Sequence, residues 1–371
     1  MRPVVALPEV DGVLTAGQIV ATAESIARVQ LPNGMIPWFT GGHADPWNHV
    51  EAAMALTIGG LTYEAELAYR WLAESQHLDG SWCMYYLEAG VESPRRDTNV
   101  CAYVATGVWH HFLSRRDMGF LEAMWPTVEA AVAFVLRFQR PGGEIVWSVE
   151  PDGTLGRFAL LTGSSSVYFS LRCAIACAER LGYERPDWEL AAGRLAHAVA
   201  FNPESFEPKV RWAMDWYYPI LSGSVRGVDG ENRIEERWHQ FVMDGVGVRC
   251  VSDRPWVTAA ETAECVMALD ALGRSEEAHR LFGWAQQLRH HDGSYWTGWV
   301  LPEQVHFPGG ERTTYTAAAV VLAADTLAGT GPAAGLFRGN GLPAGLDLSE
   351  PVADPTQHAQ TPTALLLDEG A

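Results

Sequence analysis

A stretch of this sequence occurs twice. Ala55-Leu56 through Trp71 to Asp79-Gly80-Ser81-Trp82 matches Ala268-Leu269 through Trp284 to Asp292-Gly293-Ser294-Tyr295 at a constant offset of 213 residues, without a gap. Upstream, Asp45-Pro46-Trp47 and Asp253-Arg254-Pro255-Trp256 each open a helical pattern that later carries a carboxylate, Glu51 or Glu264. Weaker echoes run from Gln30-Leu31-Pro32-Asn33-Gly34 to Trp38 and from Gln139-Arg140-Pro141-Gly142 to Trp147. Each copy reads as helix, short turn, helix, loop. A hairpin of that kind cannot bury its apolar face alone, so its copies must stack on or close with one another.

Apolar residues at i, i+3, i+4 and i+7 dominate the chain, and alternating strand patterns are few. The periodicity predicts helices near 15–30, 47–59, 62–77, 97–115, 118–139, 163–182, 187–201, 212–222, 232–243, 256–272, 275–290 and 312–329. Stop-and-start signals separate the members of a pair: Gly59-Gly60 before Thr62, Gly182 before Pro186-Asp187, and Gly273-Arg274-Ser275 before Glu276. Twelve helices in six hairpins predict an all-α fold, a single (α/α)6 toroid, with inner helices starting near Trp47, Asp97, Ser164, Trp212, Trp256 and Arg312. The toroid is expected to occupy residues 1–332, and the Gly/Pro/Ala-rich segment 333–371 to form a flexible C-terminal tail.

With 48% hydrophobic and 19% charged residues the chain can fill a large core. Its 45 acidic against 26 basic residues give a formal charge of -19, which disfavours nucleic acid or an anionic membrane surface as partner. No signal peptide is visible, and no apolar run approaches the roughly eighteen residues of a membrane span. The six cysteines form no CxxC pair and fit buried free thiols in a reducing cytoplasm. No histidine or cysteine group has metal-ligand spacing, so neither a metal nor another cofactor is expected. A small-molecule or oligosaccharide substrate suits this composition; no pattern specifies an oligomeric state.

In the predicted toroid the N-terminal ends of the inner helices, and the long loops 78–96, 140–162 and 291–311, converge on one face. Fifteen tryptophans are unusual, and many lie at these ends. The candidate binding residues there are Trp38, Trp47, His49, Trp82, Asp215, Trp216, Tyr218, Asp253, Trp256, Glu261, Trp296, Trp299, Gln304 and Glu311. Acids flanked by aromatic rings suit a pyranose, whose CH faces stack on rings while its hydroxyls bond to carboxylate. Taken singly, Asp45, Asp97 and Asp253 are equally well explained as helix caps.

The segment Tyr295-Trp296-Thr297-Gly298-Trp299-Val300-Leu301-Pro302-Glu303-Gln304, followed by Thr313-Thr314-Tyr315-Thr316-Ala317-Ala318, resembles the last loop and inner helix of the glucoamylase-like six-hairpin glycoside hydrolases. The likeness extends as a pattern over roughly residues 40–328. It implies hydrolysis of a neutral, glucan-like oligosaccharide or glycoside with inversion, by two carboxyl groups about 6.5–9.5 Å apart. It also implies Glu303 as the base. The family's acid sits in a Trp-Glu motif, where this chain has Trp147-Ser148-Val149-Glu150; Glu150 is the candidate acid, with Asp97 and Glu144 behind it. The family's Arg-Asp pair at the first inner helix is replaced by Trp47-Asn48-His49.

A second likeness lies in Gln76-His77-Leu78-Asp79-Gly80-Ser81-Trp82, which is similar to the Gln-Trp repeat of triterpene cyclases and prenyltransferase β-subunits. It implies a hydrocarbon-binding cavity in the same toroid. The chain has none of the Asp-rich motifs those enzymes use to protonate an alkene or bind a diphosphate. A barrel that binds carbohydrate without catalysis is the third reading.

Overall fold

The computed structural model describes residues 7–346. Six inner helical units form a closed ring in which each packs on the next: α2 (Pro46–Ile58), α4 (Thr98–Ala102) continuing into α5 (Val104–Arg115), α7 (Leu161–Leu181), α9 (Ala213–Leu221), α11 (Ala259–Ala271) and α13 (Thr314–Ala328), which returns to α2. Six outer helices cover them: α1 (Ala16–Ala27), α3 (Thr62–Ser75), α6 (Met118–Leu136), α8 (Pro186–Phe201), α10 (Gly227–Phe241) and α12 (Ser275–Ala285). This is the (α/α)6 toroid. The inner helices are buried on nearly every face, and runs such as Ala52-Ala53 and Ala317-Ala318-Ala319 let them approach closely. The outer helices are two-faced: α12 buries Ala278, Leu281, Phe282 and Ala285 and turns its acids to solvent.

The weak echoes in the sequence are the ties that hold consecutive hairpins together. Gln30, Gln76 and Gln139 each donate through Nε2 to a glycine carbonyl four residues on and to a backbone carbonyl of the next outer helix, at 2.9–3.0 Å. The glycines concerned, Gly34, Gly80 and Gly143, have positive φ and press on that helix. A Cβ on them would lie 2.2, 2.0 and 2.3 Å from the carbonyl oxygens of Leu67, Ala130 and Arg194. Gly293 meets Ala21 of α1 in the same way, at 2.5 Å, and so closes the ring. The Gln-Trp-like segment is therefore a backbone tie, and Trp82 belongs to it: its indole is fully buried and donates to the Leu72 carbonyl at 3.0 Å.

Four details depart from the sequence reading. The helix expected over 97–115 is interrupted for one residue at Tyr103. Residues 256–258, expected to be helical, are a strand instead. They form β7 (Trp256–Thr258) in an antiparallel five-stranded sheet with β5 (Val242–Met243), β6 (Gly247–Arg249), β8 (Gly298–Val300) and β9 (Val305–Phe307). Shorter pairs join β1 (Tyr85–Leu87) to β2 (Gly90–Ser93) and β3 (Arg96–Asp97) to β4 (Ser148–Val149). Strands of two or three residues are too short to show a period of two. Third, α6 is long and apolar enough, by length and composition, to cross a membrane; half of it is buried between α5 and α7. Fourth, the beginning of the expected tail is packed. Leu336 and Phe337 are buried, Phe337 stacks on Phe169, and Arg338 forms an ion pair with Asp270 at 2.6 Å. Residues 347–371 of that tail lie outside the described residues. All six cysteines are buried free thiols.

Candidate active site

The N-terminal ends of α2, α4, α7 and α9 surround a cavity of about 370 Å³. Its walls combine Trp47, Trp147 and Trp212, the aliphatic Ile145, Leu160 and Met214, and the polar Asp97, Thr98, Asn99, Thr162, Ser164, Lys209 and Asp215. Because the inner helices run the same way, all their positive ends point at this face, which is why so many acids are tolerated there. Asp97 caps α4 by accepting from the Val100 N–H at 3.1 Å. Burial, with a smaller contribution from the charge of Asp45, pushes its carboxyl up to about 6. Asp215, in the first turn of α9, accepts from the Thr162 hydroxyl at 2.6 Å, and burial raises its pKa as well. Asn99 Oδ1 and Ser164 Oγ, both buried in these walls, find no protein partner. Buried polar atoms of that kind suit a hydroxyl-rich ligand.

The cavity floor is Trp47, whose ring meets the edges of Tyr103 and Tyr218 at 5.7 and 5.8 Å. Beneath it, the Tyr103 hydroxyl donates to Glu51 at 3.3 Å and the Tyr217 hydroxyl donates to Glu264. Burial lifts Glu51 to about 8, with a smaller push from the charge of Asp45, and lifts Glu264 well above the ordinary carboxylate range, with a smaller push from the charge of Glu51.

The other half of the mouth is built around Tyr315. Trp38 meets it at 5.1 Å and donates to Asp45 Oδ2 at 2.7 Å; Asp45 also accepts from the Asn48 amide at 2.7 Å. Burial raises the Tyr315 hydroxyl, and the charges of Glu261, Glu311 and Asp45 add to the rise, so all three acids lie within electrostatic reach of it. Glu261 accepts from the Thr258 hydroxyl, and burial raises its pKa. A second cavity of about 440 Å³ lies at this rim, lined by Phe39, Asp292, Glu311 and Arg312 among others.

Among the residues singled out from sequence, the structure brings Trp47, Asp97 and Asp215 into one cavity, sets Tyr218 beneath it, and places Trp38 and Glu261 beside it. Others lie elsewhere. His49 is fully buried, accepts at Nδ1 from the Ile36 N–H and pairs through Nε2 with the Ala68 carbonyl; burial lowers its pKa to about 4. Trp82 and Trp216 are core, Trp216 donating to the Arg233 carbonyl and stacking on Phe241. Asp253 is in an exposed ion pair with Arg211 at 2.8 Å. Glu303 and Gln304 are exposed in the turn between β8 and β9, Gln304 with a φ of 55°. Trp256, Trp296 and Trp299 are half-buried around that sheet, Trp296 stacking on His306 at 4.0 Å, while Glu311 lines the second cavity. Glu150 lies in a turn after β4 with its carboxylate on Arg95 at 2.7 Å, and Glu144 is buried near Arg140. Sequence reasoning missed Asn99, Leu160, Thr162, Ser164 and Met214. Each stands at or near the start of an inner helix, and that position was the available signal.

No family profile matches the sequence. The chain is 53% identical over 342 residues, 92% of its length, to the MMP endo-(1,4)-3-O-methyl-α-D-mannosidase of Mycolicibacterium hassiacum, of which it covers 95%. Its fold is that of the GH63 mannosylglycerate hydrolase of Thermus thermophilus solved with Tris and D-glycerate: TM-score 0.65, 13% identity, over 82% of this chain and 99% of that one. A glycosidase solved with glucose gives a TM-score of 0.64 at 14% identity, over 84% of this chain and 97% of that one. A D-mannose isomerase gives 0.61 at 10% identity, over 83% and 96%, so the toroid is shared with an enzyme that is not a hydrolase. With its near-complete match to the mannosidase, the chain belongs to the family of that endo-(1,4)-3-O-methyl-α-D-mannosidase and is a glycoside hydrolase built on an (α/α)6 toroid.

Proposed function

We propose that this enzyme hydrolyses internal α-1,4 bonds of a 3-O-methylated mannose oligosaccharide, with inversion, in the cavity above Trp47. The observation that carries the catalytic reading is that Asp97 and Asp215, from α4 and α9, line the same aromatic-walled cavity. Asp97, raised to about 6, holds its proton in a useful fraction of molecules near neutral pH and donates it to the glycosidic oxygen. Asp215 takes a proton from the water that attacks the anomeric carbon from the opposite face. The Trp47 ring supports the sugar, and Asn99 and Ser164 bond its hydroxyls. Trp212, lining the cavity and 48% accessible, offers a ring on which a sugar unit beyond the cleaved bond stacks, as cleavage at an internal bond requires. The substrate is taken from the activity of the 53% identical relative.

The test is release of reducing ends from such an oligosaccharide, with the anomer of the first product followed by NMR. Asp97→Asn and Asp215→Asn are each expected to lower kcat by about 10²–10⁴-fold. Wild-type activity should fall as pH rises above about 6, because the acid must be protonated. A product of retained configuration would sink the inverting mechanism. A second reading is favoured by Asp45 and Glu261, two acids raised by burial whose charges both reach Tyr315. Loss of turnover in Asp45→Asn and Glu261→Gln, with Asp97→Asn and Asp215→Asn changing mainly KM, would move the chemistry to that pair and make the cavity a sugar subsite. Abolition by Glu303→Gln alone would return the base to the β8–β9 hairpin.

A further inference from the structure

Two inner helices break the ordinary rule for how a helix begins. The cap position of α2 is Asp45 and that of α4 is Asp97, each accepting a backbone N–H from its own first turn. The cap positions of α7 and α9 are instead Leu160 and Trp212, and neither makes a side-chain cap bond. Leucine is among the poorest residues at this position, since it leaves the first N–H groups of the helix unsatisfied. Both residues line the cavity, as do Met214, two positions beyond Trp212, and the buried Ile145. An uncapped start is not confined to this face, since Leu61 precedes the outer helix α3 in the same way. Thr258 and Thr313 make no cap bond either, but among the inner units that open on this face only α7 and α9 have an apolar residue at the cap position.

The chemistry of the walls is correspondingly divided. Asp97, Asn99, Thr162, Ser164 and Asp215 offer donors and acceptors suited to hydroxyl groups. Leu160, Met214 and Ile145 can bond to none. A free sugar hydroxyl set against them would lose its hydrogen bonds to water without replacement. A methyl ether has no donor to strand, and its CH3 gains by leaving water. The thioether of Met214 adapts easily to such a group. Resting on the function proposed above, we infer that Leu160, Met214 and Ile145 form the slot that receives the 3-O-methyl group of the substrate and thereby select methylated over unmethylated mannose chains.

The experiment measures calorimetric binding and kcat/KM for two α-1,4-linked mannose oligosaccharides of equal length, one 3-O-methylated and one not, with wild type, Leu160→Asn and Met214→Gln. Wild type is expected to bind the methylated chain at least about 10-fold more tightly, the usual effect of one methyl-sized group in an apolar pocket. In both variants that ratio should fall toward about 1, while Leu160→Asn, which supplies a good cap, keeps or raises the melting temperature. Equal binding of the two oligosaccharides by wild type overturns the inference, and so does an undiminished ratio in both variants. Preferential binding of the methylated chain without cleavage of either oligosaccharide leaves the slot standing and overturns the hydrolytic assignment to this substrate.

Discussion

The two copies of the repeat share their packing and differ in where they carry charge. In the first copy Asp45 caps α2 and accepts from the backbone N–H of Asn48, three residues on, at 3.0 Å. At the same offset of 213 the second copy has Thr258 as cap and Glu261 three residues on, with the threonine hydroxyl donating to the glutamate. The side chains of these two positions bond in both copies, the Asn48 amide donating to Asp45 at 2.7 Å in the first, and the carboxylate has moved from one end of that pair to the other. One turn deeper, Glu51 and Glu264 occupy equivalent positions, both buried and each bonded by a tyrosine from another inner helix. Downstream, Trp82 and Tyr295 are equivalent and fully buried. Packing holds a position to one shape, whereas a helix N-terminus favours an acid anywhere in its first turn. A repeated scaffold can therefore keep its core and still place different groups at the mouth.

The largest expected effect separates the buried glutamates from the acids of the mouth. With Glu51 raised to about 8 and Glu264 higher than usual, the folded protein keeps protons that the unfolded chain releases. Stability from this source is complete below the unfolded value, near 4.5, and is lost as pH rises through about 8. The double variant Glu51→Gln, Glu264→Gln has no proton to lose, so its denaturation midpoint in urea should decline less than that of wild type between pH 5 and 8.5. Parallel declines would show that the pair does not hold its proton in the fold.

Next come the glycine ties. Gly80→Ala and Gly293→Ala force a Cβ against a carbonyl of the neighbouring outer helix at a positive φ, and each should cost about 2–4 kcal/mol. Gly80 should be the more sensitive, its Cβ falling 2.0 Å from the carbonyl against 2.5 Å for Gly293. Calorimetric melting in step with wild type would rule out these contacts as what closes the ring.

The caps give the smallest effect. Asp45→Ala should cost about 1–2 kcal/mol and Thr258→Ala nearer 0.5, because only Asp45 bonds a backbone N–H of its helix. Equal losses in chemical denaturation would mean that the two copies begin their helices equivalently after all.

Periodicity and turn residues were enough to anticipate the hairpins and the ring, and the starts of the inner helices led to Trp47, Asp97 and Asp215. Their immediate neighbours show why the site was only partly legible. Successive helical residues point about 100° apart. Trp47 therefore faces the mouth while His49 turns to α3, and Asp215 faces the cavity while Trp216 turns to α10. The likeness around Glu303 concerned the sequence of a loop. In this chain that loop is a hairpin joined to the five-stranded sheet, and the glutamate is exposed at its turn.

By itself the sequence determined the number of hairpins, their order and the face on which polar and aromatic residues gather. These follow from apolar spacing and turn chemistry, which act between near neighbours in the chain. Only the tertiary structure decided which acids share a cavity, which tryptophans are floor and which are core, and where apolar residues stand at helix starts beside that cavity. Those outcomes depend on the rotation of each helix about its axis and on loops meeting across the ring. Packing between segments distant in sequence sets both.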